Sequence, residues 1–259
     1  MGRLTGIGVL VTRPEHQAHN LCKLIEAEGG AAVRYPALVI KARPDRAAVR
    51  AAIGTADRYD LIIFISANSV RFGADFLDQR RDVPIAAVGQ PTAAALNAAG
   101  YRVAIMPAEG ASSEALLAMP QLAHMNGQRV LIVRGSGGRE LIAETLTARG
   151  ATVQYAEVYT REPACPPAQL QSEIEQLWRQ GGIRAYAATS VELLEALVGI
   201  VTPRSRELMD STALVTGSQR VAEAAGRLGL GSPVLLADSP DDAALTGALI
   251  RWRTAQTGA

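Results

Sequence analysis

The chain has few of the residues that build metal and redox sites. Among 259 residues it has two cysteines, Cys22 and Cys165, and three histidines. Two thiols alone make neither a disulfide framework nor a zinc cluster, and they fit a reducing compartment. Aromatic residues make up only 4%, which argues against a surface built to stack nucleobases. Neither sign of charge dominates. The 26 Lys and Arg against 25 Asp and Glu leave a net charge of +1, so no global field draws the chain to nucleic acid or an anionic membrane. Long apolar runs are missing as well: Leu61–Ile65 is far too short to span a bilayer. No signal-peptide apolar region precedes the first strand in MGRLTGIGVLVTRP. The expectation is a cytoplasmic protein with no nucleic-acid partner and no membrane partner.

What is present is a core and a repeat. Hydrophobic residues at 48% and charged residues at 20% suit a well-packed interior in one large or two modest domains. The most informative stretch is Arg129–Glu162, RVLIVRGSGGRELIAETLTARGATVQYAEVYTRE. An apolar strand (Val130–Val133) stops at Arg134-Gly135-Ser136-Gly137-Gly138. A helical stripe follows with Leu141, Ile142 and Leu146, Gly150 ends it, and Thr152–Thr160 is extended. A partial copy lies near the N-terminus: strand Ile7–Thr12, a helix carrying Leu21, Leu24 and Ile25, a stop at Gly29-Gly30, and strand Ala31–Tyr35. Arg13 stands 121 positions before Arg134. Other strand–turn–helix segments pair in the same way: Tyr59–Ser66 with Ile183–Ser190, Ile85–Val88 with Ala213–Val215, and Arg102–Met106 with Pro233–Ala237.

A period near 120 residues means a duplicated domain rather than a solenoid. Repeated βα units with buried strands predict an α/β protein of two flavodoxin-like, doubly wound parallel-sheet domains of five strands each. The order of the copies predicts nesting. Residues 1–38 and 164–259 form one discontinuous domain, and residues 39–163 form a second inserted into it. The crossings Pro36–Pro44 and Val158–Pro163 are expected side by side as a two-stranded hinge.

Ligands of open α/β sheets sit beyond the carboxyl ends of the strands. Here those ends read Thr12-Arg13, Ser66-Ala67-Asn68-Ser69, Gly89-Gln90-Pro91-Thr92, Arg134-Gly135-Ser136-Gly137, Thr189-Ser190 and Gly217-Ser218-Gln219. Hydroxyls, amides, glycines and arginines are donors suited to carboxylates or phosphates. Pairs of Asp, Glu, His or Cys are missing there, so neither a metal site nor two-carboxylate hydrolysis is expected. Each signal has a structural reading beside the functional one. The glycine run is an anion loop or a plain strand-to-helix turn, and it lacks nucleotide-loop spacing. Arg13 and Arg134 bind acids or pair locally. Ser66, Asn68, Thr189 and Ser190 are at least helix N-caps. His16 and His19 are expected at the surface and His124 in a loop. Trp178 and Trp252 are expected on the surfaces of amphipathic helices. Tyr159, in VYTRE, stands where the strand leaves the inserted domain; it is a packed linker aromatic or, the preferred reading, a functional phenol.

The ordered motifs VLVTRP (Val9–Pro14), FISANSV (Phe64–Val70), AVGQPTAAAL (Ala87–Leu96), SSEALL (Ser112–Leu117), LIVRGSGGRELIAETLTARGATV (Leu131–Val153) and VYTRE (Val158–Glu162) resemble the uroporphyrinogen-III synthase family. The resemblance covers essentially the whole chain. It departs at Gly217-Ser218-Gln219-Arg220, where the family often has Gly-Pro-Thr-Thr; backbone N–H donation would survive that change, side-chain donation from threonine would not. The resemblance implies an enzyme of tetrapyrrole (haem) biosynthesis that uses no cofactor and no metal. It closes linear hydroxymethylbilane with inversion of ring D and loss of water. That substrate is a polycarboxylate, and the donor-rich turns suit it: Arg13, Ser66, Asn68, Ser69, Gly89, Thr92, Arg134, Gly135, Ser136, Thr189, Ser190, Gly217 and Ser218 are the expected binding residues, on two lips of a cleft. Tyr159 is the expected catalytic residue, donating to the departing hydroxide. A monomer is expected. The alternative is a two-domain receptor or sensor for a small polycarboxylate or other anion.

Overall fold

A computed structural model describes residues 2–53, 58–77, 83–110 and 112–257. Its strands are β1 (Gly8–Val11), β2 (Ala31–Arg34), β3 (Leu38–Ala42), β4 (Leu61–Phe64), β5 (Ile85–Ala87), β6 (Arg129–Gly135), β7 (Thr152–Pro163), β8 (Ala185–Ala187), β9 (Ala213–Thr216) and β10 (Val234–Leu236). Its α-helices are α1 (Glu15–Ala27), α2 (Arg46–Ile53), α3 (Ala67–Gly73), α4 (Gln90–Ala98), α5 (Ser113–Leu117), α6 (Leu141–Ala148), α7 (Ala168–Arg179), α8 (Val191–Ile200), α9 (Pro203–Met209), α10 (Gln219–Arg227) and α11 (Asp242–Thr257). The chain divides into two compact units, Met1–Val39 with Glu162–Ala259, and Ile40–Arg161.

In the first unit the sheet order is β10-β9-β8-β1-β2, with every neighbouring pair parallel. The strands are short apolar runs because both faces are covered. Alternation sorts their side chains. Leu10, Tyr186 and Leu214 pack with Leu193, Leu197 and Val221 on one face. Val9, Val11, Ala187 and Val215 pack with Leu21, Ile25, Leu245 and Leu249 on the other. Each such leucine or isoleucine contributes about 1.5–3 kcal/mol by leaving water. Trp178 is only 4% exposed and belongs to the first of these clusters, so the expectation that it lies on a surface is corrected. It shares a helical stripe with Ile174 on α7, and its indole N–H donates to Thr212 Oγ1 at 2.7 Å, which removes the cost of burying a donor. Trp252 is half-buried at the edge of the second cluster. His16, His19 and His124 are exposed.

In the second unit the order is β3-β7-β6-β4-β5, and the β4/β5, β4/β6 and β6/β7 pairs are parallel. Ile62, Phe64, Leu131 and Val133 face Val70, Phe76 and Leu96. Leu61, Ile63, Val130 and Ile132 face Leu116, Leu117, Ile142 and Leu146. The segment expected as a strand at Arg102–Met106 is reduced to one parallel bridge, Ala86 with Ile105. None of its residues is fully buried, so little apolar burial extends the ladder. β3 lies beside β7, with Arg43 N–H bonded to Val158 C=O (3.0 Å) and Ala164 N–H to Ala37 C=O (2.9 Å). That pairing runs antiparallel. The chain passes from one unit to the other within these two strands. Equivalent helices α1 and α6 are followed by left-handed glycines, Gly29 (φ +77°) and Gly150 (φ +92°), a conformation that L side chains resist. Among the described residues no helix is long and apolar enough to cross a membrane.

Candidate active site

The carboxyl ends of β4, β5 and β6 border a cleft in the second unit, of about 360 Å³. It is lined by Ile65 and Val88 from strand ends, Ser112 and Ser113 at the start of α5, the glycine turn after β6, and Arg134, Arg139, Tyr155 and Arg161.

Arg134 organises the turn. Its residue is 2% exposed, so each N–H needs a partner inside the fold. Nε donates to Gly135 C=O at 3.2 Å, Nη1 to Glu140 Oε1 at 3.0 Å, and Nη2 to Gly137 C=O. The chain can wrap this closely because Gly137 (φ +70°) and Gly138 (φ +98°) are both left-handed. Tyr155 lies over the guanidinium, 4.7 Å from carbon to ring centroid. Its hydroxyl donates to Glu140 Oε2. Burial first, then the Glu140 carboxylate, push the Tyr155 phenol up to about 12. The Tyr155 hydrogen bond, followed by the charge of Arg134, holds the Glu140 carboxyl below its usual range. Glu140, Tyr155 and Arg161 are among the site residues that sequence reasoning missed, with Ser112, Ser113 and Arg139 of the cleft lining. A carboxylate six residues after Arg134, at the N-cap position of α6, was the available signal for Glu140.

Tyr159 is fitted into a seat. It is 3% exposed. A Cβ on Gly135 would stand 2.4 Å from its Cε2 and 2.5 Å from its Cζ, so this position accepts only glycine while the ring is there. β6 and β7 shift register at this point, pairing Gly135 with Tyr159. Ser136 N–H donates to Tyr159 C=O at 2.8 Å. Phe72 packs on the ring at 5.9 Å between centroids. The phenol oxygen lies 3.3 Å from Ser66 Oγ and 3.4 Å from Arg161 Nη1.

Of the expected residues of this unit, Arg134 and Gly135 line the cleft; the others sit at strand ends and helix starts. Ser66 caps α3 by accepting from Ser69 N–H at 3.0 Å, and Ser69 Oγ accepts from Ser66 N–H at 3.2 Å, a reciprocal capping box. Asn68 is half-buried in the first turn of that helix. Ser136 Oγ is taken by Arg43 Nη1 at 3.0 Å. Gly89 occupies the N-cap of α4 in an extended conformation, and Thr92 is 2% exposed.

The first unit carries its own set. Arg13 is ion-paired with Asp242 at the start of α11, and its Nη2 donates to Pro240 C=O at 2.8 Å. Asn20 holds the other Asp242 oxygen at 2.7 Å. Thr189 is half-buried, and Ser190 caps α8 through Leu193 N–H at 3.2 Å. A Cβ on Gly217 would stand 2.1 Å from the Ser239 carbonyl. Ser218 sits at the N-cap of α10, its N–H 3.3 Å from Thr216 Oγ1. Among the described residues no group of three or more His, Cys, Asp and Glu could hold a metal ion.

Two α/β units whose strand ends present hydroxyls, amide N–H groups and arginines, the second of them with a cleft lined by serine and arginine donors, define a class of two-unit α/β protein. The family model described as uroporphyrinogen-III synthase HemD matches residues 20–247. The uroporphyrinogen-III synthase of Salmonella typhimurium is 34% identical over 250 residues, covering 94% of this chain and 100% of that protein. The chain belongs to the uroporphyrinogen-III synthase family. Its fold is similar to solved structures of two proteins. One is the uroporphyrinogen-III synthetase of Helicobacter pylori, with TM-score 0.63, 13% identity and coverage of 96% of this chain and 99% of that one. The other is a mutant uroporphyrinogen III synthase of Thermus thermophilus, with TM-score 0.61, 18% identity and coverage of 98% and 100%. Family membership favours an enzyme over the alternative of an anion receptor.

Proposed function

We propose that this chain is a working uroporphyrinogen-III synthase, a cyclising lyase that closes hydroxymethylbilane to the type III macrocycle with inversion of ring D and loss of water. The observation that carries this is the family match running from residue 20 to residue 247. The bilane closes unaided to the wrong isomer, so the enzyme's work is positioning and selective stabilisation. A site of donors without a strong acid–base pair suits that task.

In this reading hydroxide leaves the terminal hydroxymethyl carbon with the C–O electron pair. The resulting cation is attacked by the substituted carbon of ring D. In the spiro intermediate that carbon's older bridge bond breaks and re-forms at the free α-carbon of ring D. The proton lost from that α-carbon makes, with the hydroxide, the water released. Tyr159 donates its O–H to the departing hydroxide. Its seat against Gly135 and Phe72, which restricts the ring to one position, supports this. Carboxylates of the substrate are bound by Ser66, Asn68, Ser69, Gly89, Thr92, Arg134, Gly135 and Ser136 of the second unit, and by Arg13, Thr189, Ser190, Gly217 and Ser218 of the first. Arg134 acts largely through the turn that it shapes, since its N–H groups are committed to Gly135, Gly137 and Glu140.

The two units are the domains of the reading, 1–38 with 164–259 and 39–163, each flavodoxin-like. The first unit's strands, renumbered in their own chain order, run 2-1-3-4-5, the flavodoxin order. The β3/β7 pair is the hinge between them, and the protein acts as a monomer. The test is incubation with enzymatically generated hydroxymethylbilane followed by separation of type I and type III products. Type III product in excess is expected; type I alone above background would sink the reading.

A further inference from the structure

We infer that Arg161 is a positioning residue that fixes the direction of the Tyr159 hydroxyl proton. The inference rests on the synthase reading above and deepens it. Both residues lie on β7, two apart, and so on one face of the strand. The Arg161 guanidinium carbon is 5.8 Å from the Tyr159 ring centroid, and Nη1 reaches the phenol oxygen at 3.4 Å.

Arginine has donors and no acceptor. Toward Arg161, therefore, the phenol oxygen can only accept. Its single proton is left for its other polar neighbour, Ser66 Oγ, at 3.3 Å. That oxygen already accepts the Ser69 N–H at 3.0 Å as a helix cap, so the hydroxyl proton can be surrendered to a stronger acceptor without orphaning a buried amide. The ring cannot swing away from the cation, because Gly135 and Phe72 enclose it. A fixed cation beside the oxygen also favours the charge that builds there as the proton is drawn toward a departing hydroxide. Arg161 lines the cleft while Tyr159 is 3% exposed. The rival reading is that Arg161, as a lining residue, meets a substrate carboxylate itself.

A double-mutant cycle separates the two. Wild type, Arg161→Gln, Tyr159→Phe and the double variant are assayed with hydroxymethylbilane for kcat and KM of type III formation. Arg161→Gln is expected to lower kcat roughly tenfold, the loss of one charge-assisted hydrogen bond, with KM changed by less than about twofold. In the Tyr159→Phe background the same change costs nothing further, and Arg161→Lys recovers part of the rate. An equal loss in both backgrounds, or a raised KM at unchanged kcat, would overturn the inference and leave Tyr159 in place. Wild-type turnover by Tyr159→Phe would overturn the tyrosine's role and this inference together. Should Arg161→Gln fail to fold in a melting experiment, Arg161→Lys runs the same cycle.

Discussion

Arg13 and Arg134 end equivalent strands of the duplicated βαβ unit, yet the two units use them differently. Arg13 reaches across to another element, pairing with Asp242 and Pro240 at the start of α11. Arg134 turns back on its own loop and draws two glycine carbonyls and Glu140 around itself. The tyrosines diverge in the same way. Tyr35 is 2% exposed in the first unit's core, its hydroxyl 3.4 Å from Ile200 C=O. Tyr155 is half-buried and faces the cleft. One copy closes its strand end with an ion pair to a helix. The other opens it into a glycine turn with a phenol seated beside it. A shared skeleton fixes where such residues stand, and the partners supplied by neighbouring elements decide what they do.

The largest effect is expected from filling two crowded glycines at equivalent ends of the sheets, Gly135 and Gly217. Gly135→Ala drives a methyl into the Tyr159 ring and should cost about 10²-fold in type III formation, the scale of a small misplacement at a reacting centre. Gly217→Ala meets the Ser239 backbone instead and should appear mainly as about 3 kcal/mol of stability in urea unfolding. If both variants lose stability alone, the contrast between the units fails. Next come the arginines. Arg134→Met leaves the buried Gly135 carbonyl without its donor and unties Gly137 and Glu140, and should cost about 2 kcal/mol, with loss of activity as the turn relaxes. Arg13→Met should cost about 1–2 kcal/mol, because Asn20 still holds Asp242.

A smaller, pH-dependent effect belongs to Tyr155. Its phenol is raised to about 12 in the fold from an ordinary value near 10, so its contribution is fully present below about pH 10 and is lost as pH rises toward 12. Tyr186, also raised to about 12 by burial, titrates in the same window. Urea midpoints measured from pH 9 to 12 should therefore fall less steeply in Tyr155→Phe than in wild type, but not become flat. The smallest effect is Gly226→Ala on α10, where a Cβ meets nothing within 4 Å; a gain of about 0.5 kcal/mol from helix propensity is expected, with activity unchanged.

The α/β class was legible because buried parallel strands are short apolar runs, and because glycine stops such as Gly29 and Gly150 mark helix ends. Capping was equally readable: Ser66, Ser112 and Ser190 each accept a backbone N–H of the following helix. Less visible was anything set by contact between turns. In the sequence Gly135 looks like an anion-loop glycine, and only the β6/β7 register shift brings it against Tyr159. Glu140, just before α6, carries no mark of its role until Arg134 and Tyr155 converge on it. Trp178 reads as a surface aromatic because its partner, Thr212, lies 34 residues away. Periodicity reports which face a residue takes, not which neighbour it meets there.

The central claim is that the chemistry lies in the second unit, at the phenol of Tyr159. Type III formation from hydroxymethylbilane by Tyr159→Phe, in a variant that melts like wild type, tests it most directly. The account predicts a fall of about 10²-fold in kcat, the scale of a lost proton donor, with spontaneous type I product taking over. Wild-type kcat for type III product from that variant would contradict it.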